Sequence, residues 1–283
     1  MSVRVLPQIL AEKARVELNE ESGRVKDGLQ LMKDWISKQP HLRARTDDQW
    51  LLAFLRGCKF SMERAKEKLD LYYSVRYTAP ELYKFKHTDE LFDEIFSLGV
   101  ALIRPGRYDA SKYDIFDVLT VVNILQKVVL MDDDNGTVAG NMTILDLQGV
   151  TLGHFLQMTP ITMKKMMVAA QDATPLRMKG LHYINAPPGV ETIFNAMKSL
   201  LNEKNRNRLF KHIPKDILPT EYGGNGGTTD EILDYWRKKL NEYNTFLEED
   251  YQFGTDERKR AGKPKTAESM FGADGSFRKL EVD

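Results

Sequence analysis

The apolar residues of this chain change their spacing near residue 99, and that change limits the fold more than any other feature of the sequence. Over residues 7–87 they recur at helical period. Leu10, Ala14 and Leu18 are four apart, and Leu29, Met32 and Ile36 continue a second amphipathic segment that ends at Pro40. Ala65, Leu69, Tyr72, Tyr73 and Arg76 form a third. Thr46-Asp47-Asp48 offers an N-cap ahead of QWLLAFLRG and Gly57 a stop. Ser61 offers the next cap and Pro80 the next stop. With one more helix at 89–97 and no strand signal before 99, the first part reads as a small helical bundle.

Beyond residue 99 strands alternate with helices up to about 223, the pattern of an α/β sheet with mostly parallel pairing. NMTILDL (141–147) is a near-continuous apolar run between glycines, so a strand buried on both faces is expected there. RMKGLHYIN supplies the next strand. Phe116, Leu119, Val122 and Leu125 mark one helix, and 151–170 returns to helical period across a break at Pro160. Ile232, Trp236, Leu240 and Tyr243 mark a last helix over 230–251. The expected organisation is an N-terminal helical domain (1–88), an α/β domain (89–253) and a charged, weakly apolar tail (254–283) that is loosely attached.

Several function classes fall away. Lys and Arg total 41 and so do Asp and Glu, so the chain has no global basic excess for nucleic acid. Cys58 is the sole cysteine, which excludes an intrachain disulfide and CxxC zinc sites. The N-terminus becomes charged too early for a signal peptide, and no apolar run reaches membrane-spanning length. The expectation is a cytoplasmic protein that associates with membranes reversibly, by docking. The five histidines show no metal-ligand spacing, and GxSxG and the phosphate-binding GxxxxGKS/T loop are missing. The acidic run at 132–136 has Met131 and Met142 where calcium ligands belong and reads as a solvated loop. Asp109 and Asp146 read as caps of neighbouring turns. No nucleophile, base and oxyanion set emerges, so catalysis and a metal or organic cofactor are not expected.

What remains is one stretch, 175–208. It begins with Arg177 and Lys179, two apart on a strand and therefore on one face. After a proline-glycine turn, Val190, Ile193, Phe194, Met197, Leu200 and Leu201 form one apolar stripe at helical period. Lys204 and Arg208 follow, four apart on the same side of the continuing helix. Taken singly, these are an ordinary core helix and solvated surface charges. Together, two same-face cation pairs bracket one apolar helix, and four converging cations could hold a multiply charged phosphate.

DDQWLLAFLRGCKFSMERAKEKL (47–69), with its LLxFLRxxKF core, is similar to the N-terminal signature of the CRAL-TRIO lipid-binding proteins. GNMTILDLQGVTLGHFLQMTP (140–160) resembles their central strand. PLRMKGLHYINAPPGVETIFNAMKSLLNEK and LPTEYGG resemble their two C-terminal signatures. The four motifs stand in the family's order, and the resemblance covers roughly residues 20–250. Within the family the chain is most similar to the branch that carries tocopherol and retinaldehyde.

The resemblance implies a closed apolar pocket floored by the sheet, an amphipathic helix that lids it, and a basic cleft for phosphoinositide headgroups. Carried over by motif, the cleft residues are Arg56, Lys59, Arg177, Lys179, Lys204 and Arg208, with Cys58 where relatives carry arginine. The pocket positions are Leu119, Val122, Leu145, Val150, Met158, Met166, Ala169, Ala170, Thr174, Leu176 and Leu181. The lid is the 190–201 stripe. Val150 stands where the tocopherol carrier has tryptophan, and Ala169 and Ala170 replace larger aliphatics, so a pocket of different shape is implied. The implied function is binding and membrane-to-membrane transfer of a small hydrophobic lipid, with anionic membrane lipids as partners. The alternative is phospholipid or phosphoinositide exchange, for which Thr174 and Asn123 are the polar residues available. An enzyme or a protein-interaction scaffold ranks below both.

Overall fold

The structure is a computed structural model that describes residues 3–97, 103–188, 209–210 and 218–272. Its N-terminal part contains helices α1 (Gln8–Leu18), α2 (Ser22–Ser37), α3 (Asp48–Gly57) and α4 (Met62–Thr78). Helix α3 is the axis. Every side chain from Gln49 to Arg56 is buried, which places α3 inside the bundle rather than on its surface. Its Trp50 ring lies 5.6, 5.5 and 5.9 Å from the rings of Phe54, Tyr72 and Phe246, so a C-terminal residue closes the N-terminal core.

Three strands, β2 (Asn141–Asp146), β3 (Met178–Ile184) and β4 (Leu209–Phe210), pair in parallel in that order, as the alternation of elements implied. Ile103 adds a parallel bridge to Leu145 on the other side of β2. The remaining helices of the α/β part are α5 (Glu90–Ser97), α6 (Ile115–Asp132), α7 (Asp134–Ala139), α8 (Leu152–Leu156) and α9 (Pro160–Met167). Helix α9 runs on into a π-helical turn, Val168–Ala173. Helices α10 (Thr229–Glu242) and α11 (Asn244–Asp250) follow. The lid helix expected over 190–201 lies outside the described residues.

The strand-end carboxylate acts as expected. Asp146 accepts hydrogen bonds from the Gln148 backbone (3.0 Å), the Asn185 amide (2.9 Å) and the Tyr222 hydroxyl (2.5 Å). Tyr222 belongs to LPTEYGG, and the same turn explains the second glycine of that motif: a Cβ on Gly224 would fall 2.0 Å from the Leu218 carbonyl oxygen. Gly57 is equally constrained. Its missing side chain lets the end of α3 approach the backbone before β3, where a Cβ would sit 2.2 Å from Pro175 O. Gly57→Ala is therefore expected to force bundle and sheet apart and to lower stability by about 1–3 kcal/mol, read as a reduced urea midpoint.

Four expectations need correction. The acidic run at 132–136 is not a loop. It closes α6 and opens α7, where Asp134 gathers the side chains of Arg4 (2.8 Å), Gln49 (3.0 Å) and Arg56 (2.9 Å). The last helix is two helices, divided at Tyr243, whose hydroxyl donates to Asp132 at 2.9 Å. Strand β2 is not buried on both faces: Asp146 alone of its six residues is fully buried, and Met142 is 56% exposed. An apolar run marks a strand that avoids polar neighbours; it does not say that protein covers it.

The tail over 254–272 is firmly attached. Gly254 and Thr255 form β5, antiparallel to β1 (Leu42–Arg43). Asp70 on α4 then receives Arg260 and Lys265, and Phe271 on α12 (Ala267–Phe271) is buried among Val75, Ala79, Leu82, Val168 and Ala173. Composition concealed this, because charged residues hold the segment through buried partners that lie far away in sequence.

Candidate functional site

Where α3 turns into α4, Lys59 N–H bonds Arg56 O (3.1 Å) and Phe60 N–H bonds Leu55 O (2.8 Å), the bonding of a Schellman cap. Lys59 and Phe60 both take left-handed backbone, φ 52° and 56°, at positions where glycine is the usual choice. This local strain turns Phe60 into the core and leaves Lys59 exposed. Lys59 thus stands at the rim of a groove of about 590 Å³. Arg64 and Lys68 reach the groove from the first turns of α4, and Arg177 reaches it from the residue before β3. Glu67 and Asp172 also line it, so the four cations outnumber the carboxylates by two to one.

The cations differ in how they are held. Lys59 and Arg64 are exposed and make no ion pair among the described residues. Arg177 donates to the carbonyls of Thr137 (3.4 Å) and Val138 at the end of α7. Lys68 donates to the carbonyls of Gln171 (3.3 Å), Asp172 and Thr174 (3.1 Å), and burial lowers the proton affinity of its ammonium. Cys58 sits at the groove wall, where burial raises its thiol pKa despite Lys68 and Arg64. It is therefore a small apolar residue there rather than a thiolate.

Of the six residues carried over to the cleft, Lys59 and Arg177 line this groove. Lys179 stands two residues along, 3.5 Å from Glu17 on α1. Lys204 and Arg208 lie outside the described residues. Arg56 is a correction. Its side chain is 1% exposed and spans Glu20 (2.8 Å), Asp134 (2.9 Å) and Thr137 (3.2 Å), so it ties α3 to α7 and has no face toward the groove. Arg64 and Lys68 were missed, although their i,i+4 spacing is the criterion that singled out Lys204 and Arg208.

The residues expected to line the pocket surround the sheet without forming one compact group. Leu145 and Val150 pack with Leu147, Phe155 and Tyr183. Leu119 and Ala169 lie against the Val75–Phe271 cluster, whereas Val122 and Leu176 join the main core. Met158, Met166 and Leu181 are half-buried and Ala170 is exposed. Ala169 and Thr174 also line a cavity of about 10 Å³, room for a single water, beside Tyr72, Tyr83 and Asn123. The Asn123 amide is already used, donating to Leu82 O at 2.9 Å. The sheet itself is open: Thr143, Ile144, Leu145, Leu181, Tyr183 and Ile184 are only half-buried, where a parallel pair is normally covered on both faces.

Among the described residues, no three His, Cys, Asp or Glu side chains converge as a metal site would require, and no helix is long and apolar enough to cross a membrane.

Comparison with known proteins identifies the family. Residues 99–224 match the family described as CRAL/TRIO domain, and residues 21–90 match a Pinta-like, UBA domain. An alpha-tocopherol transfer protein-like protein of Homo sapiens is 33% identical over 251 residues, which cover 80% of this chain and 72% of that protein. Its Mus musculus counterpart gives the same figures. Clavesin-2 of Rattus norvegicus is 29% identical over 239 residues, covering 75% of this chain and 73% of that protein.

Proposed function

This chain belongs to the CRAL/TRIO family, and from that premise we propose that it carries a small hydrophobic lipid, tocopherol-, retinoid- or terpenoid-like, between membranes, with an anionic headgroup held in the basic groove. The observation that supports this reading best is the half-open apolar face of β2 and β3, which has the chemistry to floor a lipid site. A lipid that buries a few hundred Å² there gains roughly 8–10 kcal/mol at about 25 cal/mol per Å², before the costs of association. Release then needs a competing environment. An anionic bilayer supplies one by attracting Lys59, Arg64 and Arg177, together with Lys204 and Arg208, while an apolar lid partitions into the membrane.

Mass spectrometry of an organic extract of the purified protein tests the cargo. A stoichiometric apolar terpenoid is expected. A phospholipid would favour exchange of that lipid instead, and an empty extract from protein that also fails to load lipid from vesicles would overturn both. The groove has its own test. Each cation near an anionic surface contributes about 1 kcal/mol, so Lys59→Glu with Arg64→Glu is expected to slow transfer to phosphoinositide-containing vesicles at least about thirtyfold. Cargo affinity in solution should stay near wild type, as it should for Lys204→Glu with Arg208→Glu. Equal loss of both quantities would break the link between groove and release.

A further inference from the structure

Lys68 belongs to two structures at once. It rises from α4 and lines the groove with Lys59, Arg64 and Arg177. Its ammonium spends its donors on the carbonyls of Gln171, Asp172 and Thr174, where the helical run 160–173 ends. Those carbonyls are the orphan acceptors of a helix C-terminus, so the lysine acts as their cap. Among the described residues it makes no ion pair. A cation held by neutral acceptors alone has a stronger bond available to it, because a charged acceptor offers roughly twice the strength.

The capped segment is itself irregular. Val168–Ala173 is a π-helical turn, and the Thr174 amide bonds back to Ala169 O at 3.2 Å. Such turns are less stable than the α-helix they interrupt and are frequent at functional sites. This one presents Val168 and Ala173 to α4, carries Ala169 and Ala170 and ends on Thr174, three of the positions that the family resemblance implies for the lipid site.

We infer that Lys68 is a switch shared by the groove and the pocket wall: a phosphate group in the groove draws its ammonium off the 171, 172 and 174 carbonyls and loosens the 168–174 turn. The inference rests on the groove reading proposed above and adds a route by which anion binding reaches the lipid. An effector can shift this equilibrium only by its differential affinity for the two states, and the state with Lys68 turned into the groove offers the anion one more charge-assisted contact.

Hydrogen exchange of the full chain tests this, with inositol 1,4,5-trisphosphate as the probe and calorimetry to report its binding. The wild type is expected to exchange the amides of 170–174 about tenfold faster when the probe is saturating, the factor one hydrogen bond to a charged group is worth. Lys68→Ala should show the fast rate without probe and no further response. Lys59→Ala with Arg64→Ala should weaken probe binding yet keep the slow basal rate. Probe binding with unchanged exchange at 170–174 would overturn the switch and leave the groove intact, whereas no binding would overturn both. A Lys68→Ala protein that exchanges as slowly as wild type would refute the cap whatever the groove binds. Parallel runs with inorganic phosphate and with vesicles carrying phosphatidylinositol 4,5-bisphosphate separate the sources. A response to the vesicles alone assigns the switch to a lipid headgroup, and a response to both assigns it to phosphate in general.

Discussion

Replacing Asp250 by asparagine is expected to destabilise the protein by about 3–5 kcal/mol, the usual result of stripping the counter-charge from buried cations. Asp250 is fully buried, and its carboxylate stands 2.6 Å from Arg76 and 2.8 Å from Lys127. Arg76 spreads under the rings of Tyr72, Tyr73 and Tyr83 and also donates to the Asp250 backbone carbonyl, so only 11% of its side chain reaches solvent. Burial alone would raise the Asp250 pKa, but the charges of Arg76 and Lys127 overcome it and hold the carboxyl at about 2. Burial brings the Lys127 ammonium down to about 8 in spite of Asp250.

The pH dependence separates this account from a simple packing defect. A lysine whose folded pKa lies below its ordinary value binds fewer protons folded than unfolded, so its penalty is full below about pH 8 and fades as pH rises toward the unfolded value. Without Asp250 that window moves lower. The Asp250→Asn protein should therefore melt about 10 °C below wild type at pH 6 and recover part of the gap at pH 9. Adding Lys127→Met should restore part of the stability and remove the pH dependence of the gap, because Arg76 still lacks its counter-charge at both pH values. A gap that ignores pH and the second substitution would sink the electrostatic explanation.

This cluster also shows what the sequence could and could not reveal. Arg76 and Tyr72 were visible as helical neighbours on α4, and Trp236 and Tyr243 as a helical stripe near the C-terminus. The order of elements, the parallel sheet and the role of Asp146 as a cap follow from periodicity and local hydrogen bonding, which act over a few residues. The meeting of Arg76, Lys127 and Asp250 does not, since the three lie 51 or more positions apart. Arg56 was misplaced for the same reason. Its motif position was right, but Glu20 and Asp134, 36 and 78 residues away, decide which way it faces. Caps were legible in position more than in chemistry: Ser61 stands at the head of α4 without a side-chain cap bond, whereas Asp114, Thr228 and Thr266 form full capping boxes. For the candidate site, the i,i+4 rule could find Arg64 and Lys68, but their convergence with Arg177 depends on Gly57 bringing α3 against Pro175.

Asp70→Asn is expected to release the C-terminal segment while the body of the protein stays folded. One carboxylate organises that attachment. His41 Nε2 lies 2.8 Å from it, Arg260 makes two bonds of 2.9 and 3.0 Å, and the Lys265 ammonium adds a further ion pair. Arg260 also bridges to the buried Glu257 and to Ser74, so the tail's own charges close on Asp70 as a network. Burial works to raise the Asp70 pKa, but the hydrogen bonds from Arg260, Lys265 and His41 prevail and hold it at about 2. Since the folded value is depressed, its stabilisation is complete above the ordinary carboxylate range and disappears as pH falls from about 4 through about 2, a loss on the order of 2 kcal/mol. Asparagine should remove about that amount at neutral pH and almost nothing more below about pH 2, where the wild type has already lost it. The sites for trypsin cluster in this segment, at Arg258, Lys259, Arg260 and Lys265, and cleavage there follows the population of the opened tail. Cleavage at those bonds should accelerate by at least about tenfold in Asp70→Asn at neutral pH, with far-UV circular dichroism nearly unchanged. The loosening should extend to the 168–173 turn, because Phe271, with Ala267 and Met270, packs in the cluster that holds Val168 and Ala173. Wild-type cleavage rates in the variant would mean that β5 and Phe271 hold the segment without the ion-pair network.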